Sequence, residues 1–216
     1  MIHITSYKTR QEWLAARTSY IGGSDAACIL GLNPWKSNSQ LWAEKTGQAK
    51  PKDLADNPLV KYGTQAEDPL RQLFRLDFPD MLLEYIPDNM VTNDAYPFAH
   101  ASLDGWMTDP DGRKGVLEIK TATISNRAQA DKWKDAIPDN YYVQVLHYLM
   151  VTGFDFAIVK AQLKHEAAPM PWTTTRPYRI DRADVEQEIA YLAQKEAEFA
   201  HNIKTKTPPA TILPEI

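Results

Sequence analysis

Three residues of one predicted β-hairpin have the types and spacing for metal-dependent chemistry. The segment HASLDGWMTDPDGRKGVLEIKTA covers residues 100–122, and its DPDG turn predicts a reversal of the chain. If residues 110–112 close the hairpin, Asp104 faces Glu118 across the strands with Cβ atoms ~5 Å apart. Lys120 lies two residues beyond Glu118 and therefore shares its face of the strand.

Two carboxylates at that separation need a compensating cation, because both cannot otherwise stay ionised. Mg²⁺ suits this role, since it takes one or two carboxylates, keeps several waters and accepts phosphate oxygens. Lys120 would hold or polarise a metal-bound water, or stabilise charge on a phosphoryl transition state. The alternative is a solvated edge hairpin with cross-strand charge pairing, since Asp…Glu-x-Lys is a short and frequent pattern.

A third acid, Glu67, falls on the apolar face of a helix predicted over residues 62–76. An unpaired carboxylate there is costly, so Glu67 also calls for a cation. A salt bridge to Arg71, one turn further on, is the alternative explanation. Pro69 predicts either a kink in this helix or a later start.

The remaining pattern predicts helices on both sides of a mixed central β-sheet. We expect one domain over 1–216, with a motif-bearing core at about 13–165, a C-terminal strand and long helix over 174–204, and a proline-rich tail over 205–216. The predicted helices are Thr9–Arg17, Asp25–Leu30 with Ser24 as N-cap and Gly31 as stop, Ser37–Lys45, 139–152 closed by Gly153, and a helix capped by Asp181 that runs to about Lys204. The predicted strands are Leu82–Ile86, Met90–Val91, Phe98–Met107, Val116–Thr121, Phe156–Leu163 and Pro177–Ile180.

The net charge, the cysteine content and the lack of long apolar runs limit the kinds of function that the sequence can have. The net charge is −4, so bulk electrostatics does not favour nucleic-acid coating, and any DNA contact needs a local positive field. The single cysteine, Cys28, excludes an internal disulfide and multi-cysteine metal sites, and a reducing cytoplasm is the expected location. The sequence contains no run of eighteen apolar residues and no signal-peptide pattern, so we expect no membrane association.

Five segments in order resemble phage recombination exonucleases of the lambda-exonuclease/YqaJ type, within the PD-(D/E)XK nuclease superfamily. They are RTSYIGGSDAACILGLNPW, YGTQAEDPL, ASLDGWM, LEIKT and YYVQVLHYLMVTG, and they span roughly residues 13–152. The resemblance implies an α/β fold of α+β type with a restriction-endonuclease-like core, in which a central mixed β-sheet is flanked by helices.

The resemblance also implies roles for the residues of the hairpin and the helices. It implies Mg²⁺, replaceable by Mn²⁺, with two ions per active site. Gln144, which opens a QxxxY-like motif, would approach the scissile phosphate or the nucleophilic water, although a polar core residue fits its spacing equally well. The implied metal ligands are Asp104, Glu118, the carbonyl of Ile119 and Glu67, and the implied catalytic residues are Asp104, Glu118, Lys120 and Gln144.

Arg17, Ser24 and Ser102 align with the pocket that grips the 5′-terminal phosphate in this family. A glycine-preceded helix N-terminus with a hydroxyl and a nearby arginine is itself a plausible anion site. An ordinary capped helix with a surface arginine is the alternative. Trp35 and Tyr148 are candidate DNA contacts, Trp35 as a stacking wedge at the duplex end, with plain packing as its alternative.

The implied activity is a Mg²⁺-dependent 5′-to-3′ exonuclease on linear duplex DNA with a 5′-phosphate. It would release mononucleotides and leave 3′ single-stranded overhangs for annealing recombination. Family members form a homotrimeric ring around DNA, which suits an acidic chain, and a single-strand annealing protein is the expected partner. The alternatives are a structure- or sequence-specific endonuclease on the same fold and a non-catalytic DNA-end-binding module.

Overall fold

The chain alternates short helices with strands, and the computed structural model describes residues 1–166 and 170–212. The helices are α1 (Arg10–Thr18), α2 (Gly23–Ile29), α3 (Asn38–Lys45), α4 (Pro58–Asp77), α5 (Arg127–Asp131), α6 (Asp139–Thr152) and α7 (Glu186–Thr205), with a 3₁₀ turn at Arg182–Asp184. The strands are β1 (Ile2–Ser6), β2 (Ile21–Gly22), β3 (Leu82–Glu84), β4 (Asn89–Asn93), β5 (Ala99–Ala101), β6 (Gly105–Thr108), β7 (Lys114–Ile124), β8 (Phe156–His165) and β9 (Trp172–Asp181).

The strands form two mixed sheets, where the sequence predicted one central sheet. One sheet has the order β1-β4-β5-β2 and the other β3-β6-β7-β8-β9. The predicted strand Phe98–Met107 is interrupted at residues 102–104, so that β5 pairs with β4 while β6 pairs with β3 and β7. The mixed α/β architecture is confirmed, and the chain crosses from one sheet to the other at this interruption.

The register predicted for the hairpin is confirmed. β6 and β7 are antiparallel, with Gly105 opposite Leu117 and Thr108 opposite Lys114. Continuing this ladder by one residue places Asp104 opposite Glu118. β7 then runs parallel to β8, so the acidic strand lies in the middle of the five-stranded sheet.

Two helix starts differ from the prediction. α4 begins at Pro58, where proline needs no hydrogen-bond partner, and Asn57 caps it, so Pro69 lies inside the helix and the predicted later start is wrong. α2 begins at Gly23 with Gly22 as its N-cap, so Ser24 is an exposed second helical residue rather than the cap. The Asp25 carboxylate accepts the Gly22 N–H at 3.0 Å, which is the N3 half of a capping box, while glycine offers no side chain for the other half.

Asp181 also does not cap the last long helix. Its carboxylate accepts three hydrogen bonds from Arg179, and the 3₁₀ turn separates it from α7, which begins at Glu186. Asp181 thus forms an ion pair with Arg179 instead of capping the helix, because Arg179 lies two residues earlier on the same face of β9.

The core surrounds α6. Every residue of α6 from Val143 to Thr152 is buried, and Gly153 ends the helix in the left-handed conformation at φ 65°, as predicted. The described part of the tail lies against α3, where the Asn38 amide donates to Ala210 O and accepts from Ile212 N. Residues 213–216 of the predicted tail lie outside the described residues. In the described chain no helix is long and apolar enough to cross a membrane.

Candidate active site

The two hairpin acids meet as the register requires. Ile119 N–H donates to Asp104 Oδ2 at 2.8 Å, and the Asp104 and Glu118 carboxyl groups lie close enough to affect each other's pKa. Glu118 is only 3% exposed. Two acids are therefore packed together in the centre of a sheet, where apolar residues would cost less, and this arrangement requires a functional reason.

Gln144 joins Lys120 to Glu118. Lys120 Nζ lies 2.6 Å from Glu118 Oε1 and donates to Gln144 Oε1 at 2.9 Å. The Gln144 amide in turn donates to Glu118 Oε1 at 2.9 Å and to the Tyr148 hydroxyl at 2.7 Å. The lysine, the acid and the glutamine therefore form a closed hydrogen-bonded ring, and α6 supplies the helix that holds it.

Glu67 approaches the hairpin from α4, and it does not pair with Arg71 as the alternative proposed. Arg71 instead donates to the Asp104 carbonyl oxygen at 2.8 Å and to Asp68 at 3.1 Å. Burial, with the negative charge of Asp104 adding to it, raises the pKa of Glu67 to about 7. Glu67 thus lies near enough to the hairpin to be affected by its charges, although it remains partly exposed.

Burial also governs the pKa values of the hairpin. It raises the pKa of Glu118 to about 8, with the Lys120 ammonium opposing the shift and Asp104 adding to it. Burial raises the pKa of Asp104 as well, against the hydrogen bond from Ile119. For Lys120, burial acts to lower the pKa, but the adjacent Glu118 outweighs it and raises the pKa. Burial and mutual repulsion thus disfavour the ionised forms of the three acids, and a bound cation would stabilise those forms.

The donor set fits a hard divalent cation. The nearby donors are the carboxyl oxygens of Asp104, Glu118 and Glu67 with the Ile119 carbonyl, all oxygen ligands of the kind that Mg²⁺ prefers. Within the part of the chain that the structure describes, no three His, Cys, Asp or Glu side chains are grouped closely enough to hold an ion by themselves. A site of two carboxylates completed by water matches Mg²⁺, which retains several waters in proteins.

Histidine does not contribute to this donor set. His147 is fully buried, with Nδ1 2.7 Å from Glu196 and Nε2 2.8 Å from the His100 carbonyl oxygen. A carbonyl oxygen can only accept, so Nε2 carries a hydrogen and both ring nitrogens are engaged.

The three residues assigned to the 5′-phosphate lie around α2 and the crossover. Arg17 is partly buried and stacks 4.0 Å over the Trp13 ring, and its guanidinium makes no ion pair or hydrogen bond within the described residues. Burial lowers its pKa, and Tyr148 and Asp25 lie close enough to oppose this shift. The Ser102 Oγ is buried and lacks a hydrogen-bond partner in the described chain. An unpaired guanidinium and an unsatisfied hydroxyl are what an anion would complete.

Gly23 connects this region to the catalytic helix. A Cβ at Gly23 would lie 2.6 Å from Tyr148 Cε1 and 3.0 Å from Gln144 Cγ, so only glycine lets α2 pack this closely on α6. The N-terminus of α2 and the glutamine of α6 are therefore neighbours, which the sequence alone did not establish.

The two candidate DNA contacts occupy different environments. Trp35 is 75% exposed in the loop after α2, so it is free to stack on a ligand and does not belong to the core. Tyr148 is 5% exposed and lies behind Gln144, which places its hydroxyl inside the site and its ring against α2.

Sequence reasoning missed two contributors to the site. The Tyr141 ring lies 4.7 Å from Lys120 Nζ, and Arg71 holds the Asp104 backbone. Tyr141 is three residues before Gln144 on the same helix face, a spacing that could have identified it. The Arg71 contact spans 33 residues of chain, and no local pattern predicts it.

Solved structures of exonucleases share this fold. The alkaline exonuclease LHK-Exo from Laribacter hongkongensis matches with a TM-score of 0.65 at 19% identity, covering 91% of this chain and 93% of that one. A phage-related exonuclease from Haemophilus somnus 129PT matches with a TM-score of 0.53 at 12% identity, covering 87% and 96%. The fold is thus that of the alkaline exonucleases.

Residues 12–155 match the YqaJ-like viral recombinase domain, and the chain belongs to that family. The uncharacterized protein YqaJ of Bacillus subtilis (strain 168) is 36% identical over 152 residues, which are 70% of this chain and 45% of that protein. Protein D345L of African swine fever virus is 32% identical over 128 residues, 56% of this chain and 34% of its own length. The chain thus spans less than half the length of these relatives.

Proposed function

We propose that the protein is a Mg²⁺-dependent 5′-to-3′ exonuclease on linear duplex DNA, which releases mononucleotides and leaves 3′ single-stranded overhangs. The observation that carries the proposal is the joining of two sites by one short segment. Asp104 belongs to the acid–lysine cluster, and two residues earlier the buried Ser102 hydroxyl lacks a hydrogen-bond partner in the described chain. The Arg17 guanidinium lies near Tyr148, whose hydroxyl accepts a hydrogen bond from Gln144 of the same cluster. A hydrolytic centre beside an anion pocket is the arrangement that an end-directed nuclease needs.

Each residue has a distinct chemical role in this proposal. Asp104, Glu118 and the Ile119 carbonyl would hold Mg²⁺, with Glu67 approaching from α4. The bound ion would supply Lewis-acid activation of water and stabilisation of the leaving oxygen, and Mn²⁺ would replace it. Two ions per site agree with the surplus of acids.

Lys120 directs a positive charge into the site, and its neighbours fix its position. Glu118 and Gln144 hold Nζ from two sides, so the ammonium loses little further freedom when a phosphate or a water binds. A positioned ammonium stabilises negative charge that develops on the phosphoryl oxygens. Gln144, hydrogen-bonded to Glu118, orients that carboxylate.

The anion pocket would select the 5′-phosphorylated end. Arg17 offers a guanidinium without a carboxylate partner in the described chain, and the Ser102 and Ser24 hydroxyls are available as further donors. Trp35 would stack on the duplex end. The structure of LHK-Exo in complex with dAMP, which matches this fold with a TM-score of 0.54 at 19% identity, contains a mononucleotide of the proposed product class.

The assembly and the partner are further parts of the proposal. A homotrimeric ring around the duplex would retain an acidic protein on DNA without many phosphate contacts, in agreement with the net charge of −4. A single-strand annealing protein would load onto the 3′ overhang that the enzyme leaves. Sedimentation equilibrium of the free protein tests the first statement, and a monomer at micromolar concentration would contradict it.

The test of the activity uses three duplex substrates with Mg²⁺: linear with 5′-phosphate, linear with 5′-hydroxyl, and covalently closed circular. We expect rapid digestion of the first, slower digestion of the second and none of the third. Labelling each strand end in turn gives the polarity. Cutting of the closed circle would favour the endonuclease alternative, and binding without cleavage would favour an end-binding module.

A further inference from the structure

The crossover between the two sheets is held by a side chain. In the β4–β5 ladder Val91 lies opposite Ala101, and two residues further on the same register would place Asn89 opposite Leu103. The backbone ladder is replaced there, because Asn89 Oδ1 accepts from Leu103 N at 2.9 Å and Asn89 Nδ2 donates to Leu103 O at 2.8 Å. The segment Ser102–Asp104 therefore leaves its sheet while its backbone remains hydrogen-bonded to Asn89.

Asn89 is itself firmly fixed. It is 3% exposed, and its side-chain amide also donates to Ile86 O at 2.9 Å. Its main-chain carbonyl oxygen accepts from the Trp13 indole N–H at 2.9 Å. Trp13 carries the stacked Arg17 guanidinium on its ring. One connected set of contacts thus runs from the arginine of the anion pocket to the backbone of Leu103.

Arg71 fixes the other end of the same segment. Its side chain is 3% exposed, donates to the Asp104 carbonyl oxygen at 2.8 Å, and packs 3.6 Å over the Tyr85 ring. Asn89 thus holds the backbone of Leu103, and Arg71 holds the backbone of Asp104. Together they fix the short stretch of chain that separates the Ser102 hydroxyl from the Asp104 carboxylate.

We infer that Asn89 and Arg71 are positioning residues that fix the distance between the 5′-phosphate pocket and the hydrolytic centre, and hence the length of the released product. The inference rests on the proposed function. Two residues of chain span at most about 7 Å, which accommodates one nucleotide between neighbouring phosphates and is too short for two. An end phosphate at Ser102 and Arg17 would therefore present the next phosphodiester, and no later one, to Asp104.

The test measures product length, because loss of folded protein lowers the amount of product without changing its length. Arg71→Lys, Arg71→Met and Asn89→Ala are compared with wild type on a 5′-phosphorylated duplex under single-turnover conditions, with mass spectrometry of the products. Arg75→Met is the matched control, since Arg75 lies one turn along α4, is exposed and contacts Gln72 and Leu83 O.

We expect mononucleotides from wild type and from the control variant. The Arg71 and Asn89 variants should release a mixture that includes dinucleotides, with a rate up to about a hundredfold lower, since about 1 Å of misplacement has that effect. Their preference for 5′-phosphate over 5′-hydroxyl ends should fall at least tenfold. Arg71→Lys keeps the charge, so it separates position from electrostatics.

Two results distinguish the possible failures. If wild type releases mononucleotides from ends while the variants keep the same product length and the same end preference, the inference is overturned and the proposed function stands. If wild type releases no nucleotides from ends, both are overturned. Should Asn89→Ala not fold, as a melting curve would show, the two Arg71 variants decide the result.

Discussion

Cation binding should be strongly coupled to proton release. Burial raises the pKa of Glu118 to about 8 and that of Glu67 to about 7 in the metal-free protein, and a bound cation requires both carboxylates in their ionised form. From these values, binding should release about 1.4 protons at pH 7 and ~0.1 at pH 9. Apparent affinity for Mn²⁺ should rise about a thousandfold from pH 6 to pH 9, which corresponds to ~4 kcal/mol.

The same shifts determine how stability depends on pH. The folded pKa values of both acids exceed their unfolded values, so the folded protein binds more protons between about pH 4.5 and pH 8. The free energy of unfolding of the metal-free protein should therefore fall as the pH rises through this window. A divalent cation should restore it, and the increase in Tm on adding Mn²⁺ should be larger at pH 8.5 than at pH 6.

Isothermal titration calorimetry of Mn²⁺ in buffers of different ionisation enthalpy gives the proton count at each pH. Glu118→Gln should weaken binding and remove close to one proton at pH 7, because Glu118 is mostly protonated there. Glu198→Gln, a change on the exposed face of α7, is the control and should bind as wild type does. Affinity that does not vary with pH, or unchanged proton release from Glu118→Gln, would refute the placement of the cation at these acids.

Three further changes test other parts of the site. Lys120→Met should abolish hydrolysis and spare DNA binding in a gel-shift assay. Lys114→Met, at an exposed position on the same strand, should leave both hydrolysis and binding intact. Cleavage by Lys120→Met near the wild-type rate would exclude a role for Lys120. Gly23→Ala should lower the free energy of unfolding by ~1–3 kcal/mol in urea titrations, because the new methyl group would overlap the Tyr148 ring, and an unchanged midpoint would contradict that contact. Glu196→Ala should cost ~3–5 kcal/mol by leaving His147 without its buried partner, and a loss below about 1 kcal/mol would indicate that the pair holds no charge.

The parts of the site that local sequence determines were predictable. The DPDG turn and the alternation along β7 define the hairpin register, and the structure has Gly105 opposite Leu117 as that register requires. α6 and its Gly153 stop follow from a buried apolar run and a left-handed C-terminal residue. The relative positions of Asp104, Glu118 and Lys120 follow from the hairpin register, which explains why these three residues meet as expected. Gln144 reaches them only through the packing of α6 against β7.

The parts that depend on distant partners were not predictable. Residues 98–107 read as one strand, and the break at residues 102–104 arises because Asn89, from another strand, takes the Leu103 hydrogen bonds. Arg71 has the i, i+4 spacing for a salt bridge to Glu67, yet the Asp104 carbonyl and the Tyr85 ring attract it more effectively. Local propensity cannot weigh a contact that forms only after the chain has folded.

The C-terminal helix belongs to the same physical unit as the active site, although residues 12–155 alone match the family. Glu196 of α7 pairs with His147, one residue from Tyr148 and three from Gln144, and both partners are fully buried. The other ring nitrogen of His147 donates to the main-chain carbonyl oxygen of His100. The imidazole ring of His100 packs against Gly22. Because a buried charge without its partner is costly, α7 cannot separate from α6 without disturbing the helix that carries Gln144. The helix that carries the QxxxY-like motif thus depends for its stability on a segment that carries no motif of its own.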